Sequence, residues 1–197
     1  MTGRRGATAA LATSIVAFVV AGCGGGERQD KNEPSGTFSM NVVKAAFPSS
    51  QSLAKQEAMT ISVKNTDTRA IPYLAVTVDS FSTRSQQAGL ADPQRPVWIV
   101  DEGPIGGTTA YTNTWALGRL APGATRTFTW KVTAIQPGTH TVKYRVAAGL
   151  NGKAKAKVNG QDDFQGTFTV AISGKPAQST VDPDTGKVIR QGESSGG

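Results

Sequence analysis

The sequence predicts an all-β domain, an antiparallel β-sandwich of about seven to nine strands, over residues 37–173. Three observations carry that expectation. Apolar and polar residues alternate at period two in run after run, as in strands with one face on a core. Gly, Pro, Asn and Asp punctuate these runs at the short intervals of sandwich turns. No long stretch sets its apolar side chains at helical spacing.

The first run, 37–47, places Phe38, Met40 and Val42 on one side. In 57–65, Met59, Ile61 and Val63 alternate with Thr60, Ser62 and Lys64, and Asn65-Thr66-Asp67 turns the chain. The run 72–81 sets Leu74, Val76 and Val78 opposite Tyr73, Ala75, Thr77 and Asp79. Residues 82–90 have room for one short helical turn. A short apolar run, 97–100, follows, and 112–120 leads into Ala121-Pro122-Gly123. The cleanest strand is 125–135, where Phe128, Trp130 and Val132 alternate with Thr127, Thr129, Lys131 and Thr133. After Gln136-Pro137-Gly138, runs 139–149 and 153–158 read as a hairpin, and 165–173, with Phe168, Val170 and Ile172 inward, closes the domain.

The ends have a different composition. Arg4 and Arg5 precede an uncharged, mostly apolar stretch, 7–20. It is shorter than the ~20 residues that span a bilayer and suits the h-region of a signal peptide over 1–22. Val20-Ala21-Gly22-Cys23 closes it and resembles a bacterial lipobox. That resemblance implies that the Cys23 thiol accepts a diacylglyceryl group through a thioether, with acyl chains of the palmitate kind, and that the chain is then cleaved before it. The mature chain is then expected on the extracytoplasmic face of the cell membrane. Cys23 is the only cysteine, so neither an internal disulfide nor a cysteine-based metal site is available. Losing Arg4 and Arg5 leaves 19 Lys and Arg against 14 Asp and Glu, a mildly basic +5 with no nucleic-acid signature. Residues 23–36 carry no apolar side chain after the cysteine and are expected to be a flexible tether. The polar stretch 174–197 is expected to be a largely disordered tail.

Three segments carry a family resemblance. They are Phe-Pro-x(6)-Lys-Gln-Glu-x-Met-Thr-Ile-Ser-Val-Lys-Asn-Thr (47–66), Leu-x-x-Leu-Ala-Pro-Gly-x-Thr (117–125) and Pro-Gly-Thr-His-Thr-Val-Lys-Tyr-Arg-Val (137–146). Together they resemble bacterial extracellular immunoglobulin-like domains of the cell-adhesion-related (CARDB-like) type. These are turn and core motifs, so the resemblance implies a fold and carries no chemistry. The stretch 82–112 is longer than the family pattern.

No enzyme is expected, because no acid–base pair with a partner is visible; no catalytic residue, metal site or cofactor is assigned. His140 is the only histidine and sits where such domains often hold a corner tyrosine, so it is expected to pack and hydrogen-bond to a nearby loop. Met40, Met59 and His140 are the only soft-ligand set, and both methionines fall on apolar strand faces. Gly103-Pro104-Ile105-Gly106-Gly107-Thr108 lacks the Lys and helix of a phosphate loop, and Asp182-Pro183-Asp184-Thr185-Gly186 is an incomplete calcium loop.

The basic runs are the most informative surface. Lys143 and Arg145 alternate with apolar residues in one run, and Lys153, Lys155 and Lys157 do so in the next. A two-residue turn between them would turn the lysines onto the core face, at several kcal/mol each. A three-residue loop, Leu150-Asn151-Gly152, pairs Arg145 with Lys157, sets all five cations outward and gives Gly152 the left-handed position. Trp98 and Trp115 flank the loop 101–114, either as a binding platform or packed beneath it. The expected function is non-enzymatic: a lipid-anchored domain displayed to an envelope protein, a wall polymer or anionic lipid. The alternative is a carrier of a small ligand or metal.

Overall fold

The computed structural model describes residues 30–82, 84–86, 94–181 and 188–190. The signal stretch 1–22, Cys23, the start of the tether, most of the helical turn expected in 82–90 and the Asp182–Gly186 loop lie outside them.

The strands are β1 Gly36–Ala46, β2 Ser50–Leu53, β3 Gln56–Asn65, β4 Ala75–Val78, β5 Arg84–Gln86, β6 Gln94–Pro96, β7 Trp98–Glu102 and β8 Thr108–Tyr111. They continue as β9 Thr114–Ala116, β10 Thr125–Ala134, β11 Gly138–Ala147, β12 Ala154–Val158, β13 Gln165–Pro176, β14 Ser179–Val181 and β15 Val188–Arg190. A single 3-10 turn, Asp79–Ser82, follows β4.

One sheet has the order β12-β1-β3-β10-β7 and the other β2-β13-β11-β4-β9-β8. Strands β1, β3, β10 and β7 on one side, facing β4, β11 and β13 on the other, give the immunoglobulin-like partition of a sandwich. The excursion that lengthens 82–112 contains β7, which joins the first sheet, and β8, which pairs with β9 just beyond it as the chain returns beside β4.

The alternating residues meet between the sheets. Met40, Met59, Ile61, Val63, Val76, Val78, Phe128, Trp130 and Val132 are all fully buried. Phe128 stacks on Trp130 with ring centroids 5.8 Å apart, and Trp115 meets Trp130 edge-on at 5.5 Å. Val42 is only half-buried, because a bulge between Val42 and Lys44 shifts the register of β1 against β3. Phe168 is half-buried too; its ring stacks on Tyr144 at 5.5 Å.

Two motifs read separately in the sequence form one joint. Asn65, fully buried, ends β3; its Nδ2 donates to the carbonyls of Arg69 (2.9 Å) and Leu120 (3.0 Å), and its Oδ1 accepts from the Asp67 N–H at 2.9 Å. Its main chain bonds Ala124 and Gly123, where Gly123 takes φ +73° in the Ala121-Pro122-Gly123 turn.

Two expectations are corrected. Strands β11 and β12 do not form a hairpin. Both edges of β11 are taken, by β13 and by β4, so β12 has no place beside it. It crosses to the other sheet and runs parallel to β1, with Gly36 opposite Ala154 and Met40 opposite Val158. The pairing of Arg145 with Lys157 therefore does not occur; Arg145 faces Gln165 and Thr77.

The second concerns the tether: its last residues are seated on the domain, with Asp30 and Glu33 both buried. Beyond residue 173, β13 continues to Pro176, paired with β2, and β14 pairs with β15; residues 182–187 and 191–197 of the expected tail lie outside the described residues.

Candidate functional site

One pole of the sandwich gathers the loops 66–74, 117–124 and 148–153. The Ile71–Leu120 bridge and the Tyr73 N–H bond to the Ala148 carbonyl (3.0 Å) tie them together. The chain arrives at this pole before starting β1. The Glu33 carboxylate accepts three main-chain bonds there, from Leu150 (2.6 Å) and Asn151 (3.3 Å) on Oε2 and from Ala154 (3.1 Å) on Oε1. The loop thus wraps a carboxylate in its own N–H groups, the arrangement of an anion-binding nest. Gly149 is required beside it, since a Cβ at that position would overlap the Glu33 carboxylate. Asn151 Nδ2 donates to the Asp30 carbonyl at 2.7 Å, and the Tyr111 hydroxyl reaches Asp30 Oδ2 at 3.3 Å.

Exposed cations ring this pole. Lys31 and Lys153 line one shallow hollow with Asp30 and Asn151, and Arg119 and Arg126 line another around the 120–122 turn. Arg126 lies opposite the inward-facing Val63, so at the start of β10 it projects past the end of the core.

The five predicted cations are all exposed, as the alternation requires, and Gly152 takes φ +82°. They do not share one sheet face: Lys143 and Arg145 belong to β11 in one sheet, Lys155 and Lys157 to β12 in the other, and Lys153 to the loop between. Arg145 is neutralised by Asp79 through two bonds of 2.9 Å. That guanidinium holds the Asp79 carboxyl below the usual carboxylate range, and the nearby Lys143 adds to the effect. Between β12 and the outer face of β11 lies an open groove of about 960 Å³, lined by Thr77, Arg145, Lys155, Asp162, Asp163 and Gln165 among others.

At the same pole Asp67 accepts from the Arg69 side chain (3.1 Å) and from the main-chain N–H groups of Arg69 (2.9 Å) and Ser39 (3.1 Å). These bonds, the Arg69 side chain first, hold the Asp67 carboxyl far below its ordinary range. Burial pushes the Tyr144 phenol up.

The tryptophans do not form a platform. Trp98 is buried, its Nε1 donating to Gln51 Oε1 at 2.9 Å. Trp115 is half-buried between Trp130 and Phe81. An exposed apolar side chain on the 103–107 loop is instead Ile105, on a turn closed by the Gly107 N–H to Pro104 carbonyl bond of 3.0 Å. His140 is half-buried, hydrogen-bonded through Nε2 to the Pro137 carbonyl at 3.1 Å and edge-on to Trp98 at 5.7 Å.

Met40 and Met59 are not neighbours. Met40 faces Asn65, six residues along β3 from Met59, a separation of about 20 Å at ~3.4 Å per residue. Both side chains are enclosed in the core, so the soft-ligand set is dispersed. Among the described residues no group of three His, Cys, Asp or Glu side chains is placed to hold a metal.

Sequence reading missed Glu33. It sits among polar residues with no local mark, and its partners are over a hundred positions away in the chain. The only available hint was the small residue Gly149 beside the loop, which by itself points nowhere.

No protein-family model matches this chain, and no curated protein does. Solved structures are similar to it. One is the CARDB domain of a Pyrococcus furiosus protein in complex with di-metal ions, 14% identical, covering 69% of this chain and 87% of that one, with a TM-score of 0.41. Another is Escherichia coli alpha-2-macroglobulin from domain MG7 to its C-terminus, 16% identical, covering 73% of this chain and 18% of that one, with a TM-score of 0.43. A third is a Listeria innocua beta-glucosidase, 15% identical, covering 71% and 16%, with a TM-score of 0.36. It is the strand order and register that make this domain immunoglobulin-like.

Proposed function

We propose that this chain is an exported lipoprotein, acylated on Cys23, that displays one immunoglobulin-like sandwich at the extracytoplasmic face of the cell membrane. Its work is non-enzymatic: the domain holds a surface to another envelope component, an envelope protein, a wall polymer or anionic lipid. The observation that carries this reading is Val20-Ala21-Gly22-Cys23, closing an apolar stretch ahead of a domain built around a close-packed core. Stable anchoring needs more than one acyl chain, which the lipobox type of processing supplies. The exposed cations Lys143, Lys153, Lys155 and Lys157 favour an anionic partner.

The test is metabolic labelling of the native chain with a palmitate analogue, beside Cys23→Ser. Label in the native protein and none in the variant is the expected result. A native chain without label, or equal label in both, would remove the lipoprotein reading.

One observation favours a second reading, a carrier of a small polar ligand: the groove lined by Thr77, Arg145, Lys155 and Gln165. Co-purification of a small molecule that Lys155→Glu abolishes would support it over display.

A further inference from the structure

The seated segment changes what the anchor does to the domain. From Cys23 to Asp30 the chain has seven Cα steps, a reach of at most about 25 Å at ~3.3–3.6 Å per residue. If the segment were free as far as Gly36, the reach would be about 45 Å. The contact that shortens it is specific. Three main-chain N–H groups converge on Glu33, and Gly149 leaves room for the carboxylate. The pole on which it closes carries Lys31, Arg119, Arg126 and Lys153, all exposed. The acids at that pole are taken up: Glu33 by the nest, Asp30 by Tyr111 and Asp67 by Arg69. Asp162 and Asp163 lie to the side, in the groove beside β12.

We infer that Glu33 is a latch that turns this pole of the sandwich toward the anchoring membrane and lays its Lys and Arg side chains on anionic lipid headgroups. The inference rests on the lipoprotein reading. It adds a fixed orientation, a lipid-facing surface and the residue that sets both. The consequence is geometric. With the latch closed, the pole of the 117–124 and 148–153 loops faces the lipid, and the opposite pole, with the 135–138 turn and the end of β13, is presented outward. Cations near an anionic leaflet are attracted over about a Debye length, so the short reach matters to their effect.

The experiment uses the full chain purified from membranes, with the mass of Cys23 measured first. Single cysteines at Ala121→Cys, on the latched pole, and Lys175→Cys, near the opposite one, carry a fluorophore; the acylated Cys23 is a thioether and does not react. The protein is reconstituted into phosphatidylglycerol–phosphatidylcholine vesicles with an acceptor dye on the headgroups. The poles are about 35 Å apart, given ten residues in β10 at ~3.4 Å each, so energy transfer from position 121 should exceed that from 175 by about twofold or more.

Gly149→Ala, which expels the carboxylate without removing it, and Glu33→Ala, which removes it, should each bring the ratio toward one. Vesicles of phosphatidylcholine alone should lower it as well. Equal transfer from both poles in the native chain, or a ratio that neither variant changes, overturns the latch. A ratio the same in neutral vesicles overturns the anionic-lipid surface. An unmodified Cys23 mass overturns the lipoprotein reading and this inference with it, which separates that failure from failure of the latch alone.

Discussion

Strands β11 and β12 carry the same pattern, cations alternating with small or apolar residues, and end in different environments. β11 lies inside its sheet with a partner on each side, and its Arg145 is matched by Asp79. β12 is an edge strand with β1 as its one partner, and among the described residues neither Lys155 nor Lys157 forms an ion pair. Period-two alternation tells which side chains point outward, and it does so correctly for both. It is silent about partners. Those are decided by which edges are free and by a carboxylate from the N-terminal segment that holds the 149–154 loop in the shape that delivers β12 to β1. The lysines of β12 also suit an exposed edge, where charge opposes pairing with another chain.

The contrast can be broken from the β11 side first. Tyr144 fills the space over Gly166 and stacks on Phe168, so Tyr144→Ala should cost about 3 kcal/mol in denaturant unfolding. The joint at Asn65 comes next. Asn65→Ala leaves the Arg69 and Leu120 carbonyls without their side-chain donor and should cost about 2 kcal/mol by the same measurement. Glu33→Ala strands three N–H groups that solvent can partly reach, and about 1 kcal/mol is expected. The smallest effect lies on β12: Lys155→Glu with Lys157→Glu should change stability by no more than about 0.5 kcal/mol, as surface changes do. A cost on β12 matching that of Tyr144→Ala would break the comparison.

Acid separates the ion pair on β11 from the one at the latched pole. The folded chain holds Asp67 and Asp79 below their ordinary values, Asp67 the further. The unfolded chain takes up protons near pH ~3.9, where the folded chain does not. The stabilisation is therefore present above about pH 4 and is lost as pH falls through the folded values. Asp67→Asn should flatten the acid limb of a stability–pH curve more than Asp79→Asn, whose pair with Arg145 is open to solvent and worth little.

Much of the sandwich was legible. Phe38, Met59, Ile61, Val63, Val76, Phe128, Trp130 and Val132 face inward as their alternation requires. The turns at Asn65 and Ala121-Pro122-Gly123 stand where their residues place them, though nothing local says that they bond each other. His140 packs and bonds to its neighbouring turn, as a corner residue does. The candidate surface was less legible. The exposure of Lys143, Arg145, Lys153, Lys155 and Lys157 follows from parity, whereas their division between two sheets depends on contacts far apart in the chain. Trp98 sits in a short apolar run, and it is distant residues that bury it, Gln51 at its Nε1 and the rings of Phe47 and His140 against its indole. Glu33 was missed because a polar segment with no apolar side chain looks unable to bury anything. It is buried here because three N–H groups replace the water its carboxylate loses.

The seating of Glu33 underlies both the course of β12 and the orientation proposed for the domain. Amide hydrogen exchange at Leu150, Asn151 and Ala154, compared between the native chain and Gly149→Ala, tests it most directly. Strong protection in the native chain that falls sharply at all three amides in the variant, while β10 stays protected, is the predicted result. Equal exchange at these amides in both proteins would contradict the account.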